Sequence, residues 1–247
     1  MLIRDPVCLM TVVPAHAEAM IEYGGRSYYF CSKECRDKFR EQPQNFLDKA
    51  PGMRLTIGVM GSAGSHNGES VSDQAYELGK AIARRGLILI TGACPGLPYE
   101  CAIGAREGGC TSVGISPALS LDEHVHKYQS PADAYDVLIY TGSGLMGREV
   151  TNIRSSDMVI IVGGSSGTLG EFAIAYDEGK LIGVLQDSGG ITPHIPDIVS
   201  SFGKETGSHI IYDADPASLV SRLLAYYETI HFKKPSCFCG EKQEAAG

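Results

Sequence analysis

A chain of 247 residues with a net charge of -8 and a pI near 5.4 lacks the excess positive charge of a broad nucleic-acid surface, although a local basic pocket survives that argument. Hydrophobic residues make up 43% of it, and no apolar run approaches the roughly 18 to 20 residues of a membrane span. The start "MLIRDPVCLM" lacks the basic, apolar and small-residue segments of a secretory signal, so a cytoplasmic protein that meets small ligands is expected. The eight cysteines then point to metal ligation or free thiols, because the cytosol keeps most disulfides reduced.

The first stretch, "DPVCLM…YGGRSYYFCSKECRDKF", spaces Cys8, Cys31 and Cys35 as C-x22-C-x3-C. Thiolates on a hairpin and on the first turn of a helix can meet at a tetrahedral ion, and three of them leave one position open. Cys237 or Cys239 of the tail "CFCG" is a candidate fourth ligand. The bland alternatives are three reduced cysteines in a small core and a polar tail with two free thiols. A module of this size has little apolar area of its own and gains from a metal staple. All-thiolate ligation suits a soft or borderline ion, and abundance favours zinc over copper or iron.

The segment "DKAPGMR" combines charge, Pro and Gly between differently patterned regions, which divides the chain into 1–50, 54–232 and a tail at 233–247. From residue 55 onward the runs "LTIGVM", "LILIT", "TSVGIS", "DVLIY", "MVIIV", "LIGVLQ" and "HIIYD" alternate with helical patterns. Their near-continuous apolar character predicts a parallel sheet covered on both faces, hence an α/β doubly wound, Rossmann-like domain of about seven strands. A helix over about 70–85 carries Val71, Ala75, Leu78 and Ile82 on one stripe, with Gly86 as its C-terminal stop. A last helix over about 215–230 does the same with Leu219, Leu223, Tyr226 and Ile230 after "DADP". Cys94, Cys101 and Cys110 are expected in the core without chemistry, and the "HVH" of His124 to His126 in a solvated loop.

In such sheets ligands bind outside the carboxyl ends of the strands. Here those turns read "GSAGSHNGES", "TGACPGLPYE", "YTGSGLMGRE" and "VGGSSGTLGE". The last admits three readings. Thr168 and Glu171 have the spacing of a capping box that needs no ligand. Gly163 to Gly167 match a G-x-S-x-G nucleophile elbow, with Asp187 and His209 or His194 as partners for a serine. Alternatively, Arg148 and Glu171 converge on one ligand whose phosphate sits at the helix start. Gly61, Ser62, Gly92, Gly164, Ser165, Ser166, Gly167 and Thr168 are the candidate phosphate- and nucleotide-binding residues of that third reading.

The third reading carries a family likeness. "VGGSSGTLGE" resembles the P-G-G-x-G-T-x-x-E signature of the Lonely-Guy (LOG) family, with Arg148 where that family has its catalytic arginine and Glu171 on the final glutamate. "GSAGSHNG", "YELGKAIARRG" and "TGACPGL…CAIGAREGG" follow in the family's order, so the likeness covers about 54–231. It implies hydrolysis of a nucleoside 5'-monophosphate, AMP-like by preference, to free base and ribose 5-phosphate. Water is the only co-reactant, so no organic cofactor is required. It also implies a homodimer that completes the site across its interface. Gly163 stands for the Pro, Ser165 for the second Gly and Glu149 for a Lys, and these departures resemble the branch of molybdenum-cofactor carrier proteins, which allows binding without catalysis. In the first module "DPVC-x-M", "YYFCS" and Phe39 to Phe46 resemble the YHS domain and the related TRASH metal-binding modules, with Leu9 in place of a Gly. That likeness implies metal binding.

Overall fold

The computed structural model describes residues 3–8, 10–23, 26–47, 54–64 and 68–231. The chain divides into two compact units, Met1–Arg54 and Leu55–Gly247.

In the first unit, the short strands β1 (Ile3–Arg4) and β2 (Thr11–Val12) pair antiparallel, and β3 (Ala19–Tyr23) and β4 (Arg26–Phe30) form a hairpin. Helices α1 (Lys33–Glu41) and α2 (Gln44–Leu47) follow. The core is aromatic. Phe30 and Phe39 are fully buried, and the Phe39 ring lies 5.0 Å from Tyr28, 5.2 Å from Phe30 and 6.4 Å from Phe46. Burying a Phe contributes about 1.5–3 kcal/mol, so these few rings supply most of what so small a unit can gain from apolar burial.

The second unit is a seven-stranded, wholly parallel sheet with helices on both faces. Its elements are β5 (Thr56–Gly61), α3 (Glu69–Arg84), β6 (Ile88–Thr91), α4 (Leu97–Glu107), β7 (Thr111–Ser116), β8 (Val137–Tyr140), α5 (Gly144–Gly147), α6 (Glu149–Arg154), β9 (Met158–Val162), α7 (Ser166–Asp177), β10 (Leu181–Leu185), α8 (Ile195–Phe202), β11 (His209–Asp213) and α9 (Pro216–Thr229). The strand order β11-β10-β9-β5-β6-β7-β8 reverses direction at β5 and β9, which opens a crevice at their carboxyl ends. All seven runs read from the sequence are strands of this sheet. Alternate residues of a strand feed opposite cores: Met158, Ile160 and Val162 pack with α3, α4 and α9, whereas Val159 and Ile161 pack with α6, α7 and α8.

Local chemistry explains the crossovers. In α3, Ala75, Leu78 and Ile82 are buried as the stripe predicts, and Gly86 takes φ +67 just beyond it. Helices α3 and α4 cross at glycine: a Cβ on Gly79 would lie 2.0 Å from the Cys101 carbonyl and one on Gly104 2.0 Å from that of Tyr76. Asp215 caps α9 by accepting from the Ser218 N–H at 2.6 Å. The stripe of α9 is shifted from the expected one. Leu219, Val220, Leu223 and Tyr227 are buried, while Tyr226 is half-buried against His209 and Ile230 is exposed. Strand β8 departs further, because Val137, Ile139 and Tyr140 of this edge strand are exposed.

Candidate functional site

The residues after β5, β6 and β9, with α5 and the start of α6, line a cleft of about 210 Å³ that includes Gly61, Ser62, Gly92, Ser165, Gly167 and Thr168 of the candidate binding set, together with Arg148 and Glu171. Gly164 and Ser166 of the candidate set stand outside the lining. Gly164 instead shapes the turn: it takes φ +91 and lies so close to Thr168 that a Cβ would come within 2.3 Å of its Oγ1. Ser166 is an exposed residue at the start of α7.

Arg148 sits at the junction of α5 and α6 and is only 7% exposed. Its Nη1 donates to the Ile115 carbonyl at 3.0 Å, and its Nε has no hydrogen-bond partner among the described residues. Gly92 makes room for it: a Cβ there would lie 2.3 Å from Nη1. Glu171, 8% exposed on α7, accepts from Asn152 Nδ2 at 3.2 Å. Burial pushes its carboxyl up to about 7, helped by the charge of Glu149 and opposed by Asn152 and Arg148. Asn152 lies one turn beyond Arg148, is fully buried, and leaves its Oδ1 unpartnered. Glu149 also lines the cleft at 7% exposure, its carboxyl raised by burial against the pull of Arg148. Arg148, Glu149 and Glu171 enter none of the ion pairs found among the described residues. Buried charges without mutual pairing, set in a cleft, mark a candidate functional site.

The capping box does not form. Helix α7 begins at Ser166 with Ser165 as its N-cap and no side-chain cap, so Thr168 and Glu171 lie inside the helix and turn toward the cleft. The first N–H groups of α7 are thereby left for water or an anion. No elbow chemistry assembles either. Ser165 bonds to no histidine among the described residues, and His209 lies at the amino end of β11, stacked on Tyr226 with ring centroids 4.0 Å apart. His194 is exposed on a short 3₁₀ turn.

Two other expectations are corrected. Cys94 is not a core residue: Ala93 takes φ +51 and Cys94 lines the cleft, its thiol raised by burial and pulled back by Arg148. Cys101 and Cys110 are buried as expected. His124 is fully buried rather than solvated, its Nδ1 2.8 Å from Ser116 Oγ and its Nε2 3.1 Å from the Pro131 carbonyl, which pins the segment after β7. Its sequence neighbours are polar, which hid this role.

In the first unit Cys8 Sγ lies 3.3 Å from Cys31 Sγ, and Cys31 Sγ lies 3.9 Å from Cys35 Sγ. Thiolates at the edges of a tetrahedron around zinc are about 3.8 Å apart, given Zn–S bonds of about 2.3 Å, so the three thiols already bracket that spacing. Cys35 stands in the first turn of α1, where Ser32 Oγ accepts from its N–H at 3.2 Å. The Asp5 carboxylate joins the cluster, all candidate ligand atoms lying within 4.8 Å of one another. Sequence reading passed over Asp5. It is fully buried and accepts from the N–H groups of Val7 at 2.8 Å, Cys8 at 3.4 Å and Cys31 at 2.8 Å. Burial works against its charge, but these bonds hold it below the ordinary carboxylate range. Contact with Asp5 in turn pushes the Cys31 thiol upward, the direction a bound cation reverses. The donor set fits a soft or borderline ion. Cys237 and Cys239 lie outside the described residues.

The wholly parallel sheet with a cleft at its switch point has the fold of the LOG and molybdenum-cofactor carrier proteins; a separate cysteine module precedes it. The model of the SLOG cluster4 family matches residues 54–220, and the chain belongs to that family. A YHS domain model matches residues 3–50. An uncharacterized protein of Archaeoglobus fulgidus is 37% identical over 132 residues, 53% of this chain and 80% of its own length. The molybdenum cofactor carrier protein from Chlamydomonas reinhardtii, a solved structure, is 32% identical, with a TM-score of 0.57 over 70% of this chain and 99% of that one. A copper-transporting P-type ATPase of Rhizobium leguminosarum bv. viciae is 46% identical over 46 residues, 19% of this chain and 6% of the ATPase. No helix of the described residues is long and apolar enough to cross a membrane.

Proposed function

We propose that the second unit is a nucleotide N-glycosidase that hydrolyses a nucleoside 5'-monophosphate to free base and ribose 5-phosphate. The observation that carries this reading is the buried, unpaired couple of Arg148 and Glu171 in the switch-point cleft. The phosphate takes the open N–H groups of α7 with the Thr168 hydroxyl, and Arg148 orients ribose or phosphate oxygens. As the bond between C1' and the base breaks, positive charge grows on the ribose ring, and ionised Glu171 stabilises it on its own or as a transient nucleophile. Water supplies the hydroxyl at C1' and the proton that leaves with the base. The Asn152 amide fixes the carboxylate's orientation. The test is incubation of the protein with the common nucleoside monophosphates while free base is measured, with Glu171→Ala and Arg148→Ala as controls. Absence of base release from every one of them overturns the enzyme.

A second reading, a carrier that holds a nucleotide-like cofactor without cleaving it, draws support from the likeness to the Chlamydomonas carrier protein. It expects Glu171→Ala to keep ligand affinity. We further propose a homodimer formed through the face that exposes Val137, Ile139 and Tyr140 of β8 with Leu119, Leu145 and Met146, because such a patch on an edge strand invites a partner and Leu145 and Met146 also line the cleft. Sedimentation of wild-type protein against Ile139→Lys tests it. The cysteine cluster holds a metal, zinc by abundance, in a cytoplasmic protein whose thiols stay reduced. Zinc titration with Cys31→Ser as control tests that.

A further inference from the structure

Among the described residues that line the proposed cleft Arg148 is the one base, and it faces two acids, Glu149 and Glu171. Glu149 is pressed against the first turns of α7: a Cβ on Gly170 would lie 2.8 Å from its Oε2, and one on Gly167 lies 3.7 Å from its Oε1. The glycines of "SGTLGE" thus serve a second purpose, seating a carboxylate beside the helix end proposed to hold phosphate. Glu149 is 7% exposed and lines the cleft, and its carboxylate takes no hydrogen bond or ion pair among the described residues. The charged and titratable groups around it are Arg148 on its own helix start, Glu171 on α7 and Cys94 on the turn after β6.

A helix N-terminus is equivalent to roughly half a positive charge. Together with one guanidinium it supplies about 1.5 positive charges, which Glu149 and Glu171 already offset when both are ionised. Each negative charge on a ligand's phosphate then adds to a deficit beside Glu149, and the terminal phosphate of a free monophosphate brings one more than a phosphodiester. We infer that Glu149 selects the charge state of the ligand's phosphate, so that the cleft takes nucleotides whose 5'-phosphate is esterified, as in a phosphodiester, in preference to the phosphomonoester dianion. This rests on the nucleotide reading of the cleft and moves its preferred substrate from the free monophosphate to the 5'-ester, since the glycosidic chemistry at Arg148 and Glu171 is the same for both.

The experiment is equilibrium binding to the full chain of adenosine 5'-monophosphate and of its methyl phosphodiester. It is run at about pH 8, where a phosphomonoester with a second pKa near 6 is a dianion, and base release is assayed in the same samples. One extra charge beside a carboxylate at an intermediate effective dielectric predicts the diester to bind roughly 5- to 50-fold more tightly. Glu149→Gln, which keeps the side chain's size, closes that gap by strengthening monophosphate binding, and Glu149→Lys reverses it. The monophosphate binding as tightly as the diester to wild-type protein, or a gap that persists in Glu149→Gln, overturns the inference. A diester preference without base release from either ligand sinks the hydrolase and leaves the selectivity standing. If neither ligand binds, the nucleotide reading falls and the inference with it.

Discussion

Both units bury carboxylates, and they treat them in opposite ways. Asp5 is fully buried yet saturated by three backbone N–H groups, so its charge is held ionised and the thiols around it are gathered into one place. Glu149 and Glu171 are nearly as buried, but among the described residues Glu149 has no hydrogen bond or ion pair, Glu171 has a single amide, and Arg148 pairs with neither. Backbone hydrogen bonds to Asp5 hold the cysteine cluster in place, whereas the buried charges of the cleft enter no ion pair among the described residues.

The sharpest way to break this contrast is to remove the carboxyl of Glu171. On the proposed mechanism Glu171→Ala lowers base release by about 1,000-fold or more, read as initial rate, while the protein stays folded. Stability should then move the other way. The Glu171 carboxyl is raised from 4.5 to about 7, so the folded state keeps a proton that the unfolded chain has lost between those values. Its stabilising contribution is therefore full below pH 4.5 and lost as pH rises through about 7. Glu171→Gln removes that loss, and relative to wild type it should gain up to about 3 kcal/mol on going from about pH 5 to about pH 8, read by denaturant melts. An equal difference at both pH values contradicts the burial argument. A somewhat smaller effect is expected from Gly92→Ala: its new methyl occupies space 2.3 Å from Arg148 Nη1, displaces the guanidinium, and should cost about 100-fold in rate with Glu171 untouched.

The sheet was legible because apolar continuity over four to six residues is a strong signal, and every such run became a strand. Phase was less legible than period. In α9 the pattern permits Tyr226 or Tyr227 on the buried stripe, and only the packing against α3 and β10 decides for Tyr227. The apolar letters of β8 said nothing of its place at the sheet edge, where Val137 and Ile139 face outward. At the cleft, the spacing of Arg148 and Glu171 carries the signal, while the capping-box reading of Thr168 and Glu171 fails because Ser165 and Ser166 begin α7 earlier than Thr168 suggests. Asn152 and Cys94 gave no signal. Asn152 acts through Glu171, nineteen residues away on another helix, and Cys94 is turned into the cleft by the positive φ of Ala93, which apolar patterning does not reveal. Glu149 was visible as a charge reversal, yet its seat against Gly167 and Gly170 needed coordinates.

The smallest effect tests the other half of the contrast. If Asp5 acts by holding the backbone of Val7, Cys8 and Cys31 in one loop, Asp5→Asn keeps one carbonyl oxygen as acceptor and loses the second, together with the charge beside Cys31. The thiols remain, so metal binding persists at the same stoichiometry. Affinity should fall by about tenfold, the lower end of what removing a supporting partner of a metal ligand costs. Asp5→Ala, which removes every acceptor, should fall further. A carboxylate that ligated the ion directly would instead change the ligand set, and cobalt substituted into Asp5→Asn would show an altered visible spectrum. An unchanged spectrum with weakened affinity keeps Asp5 as the residue that positions the thiols.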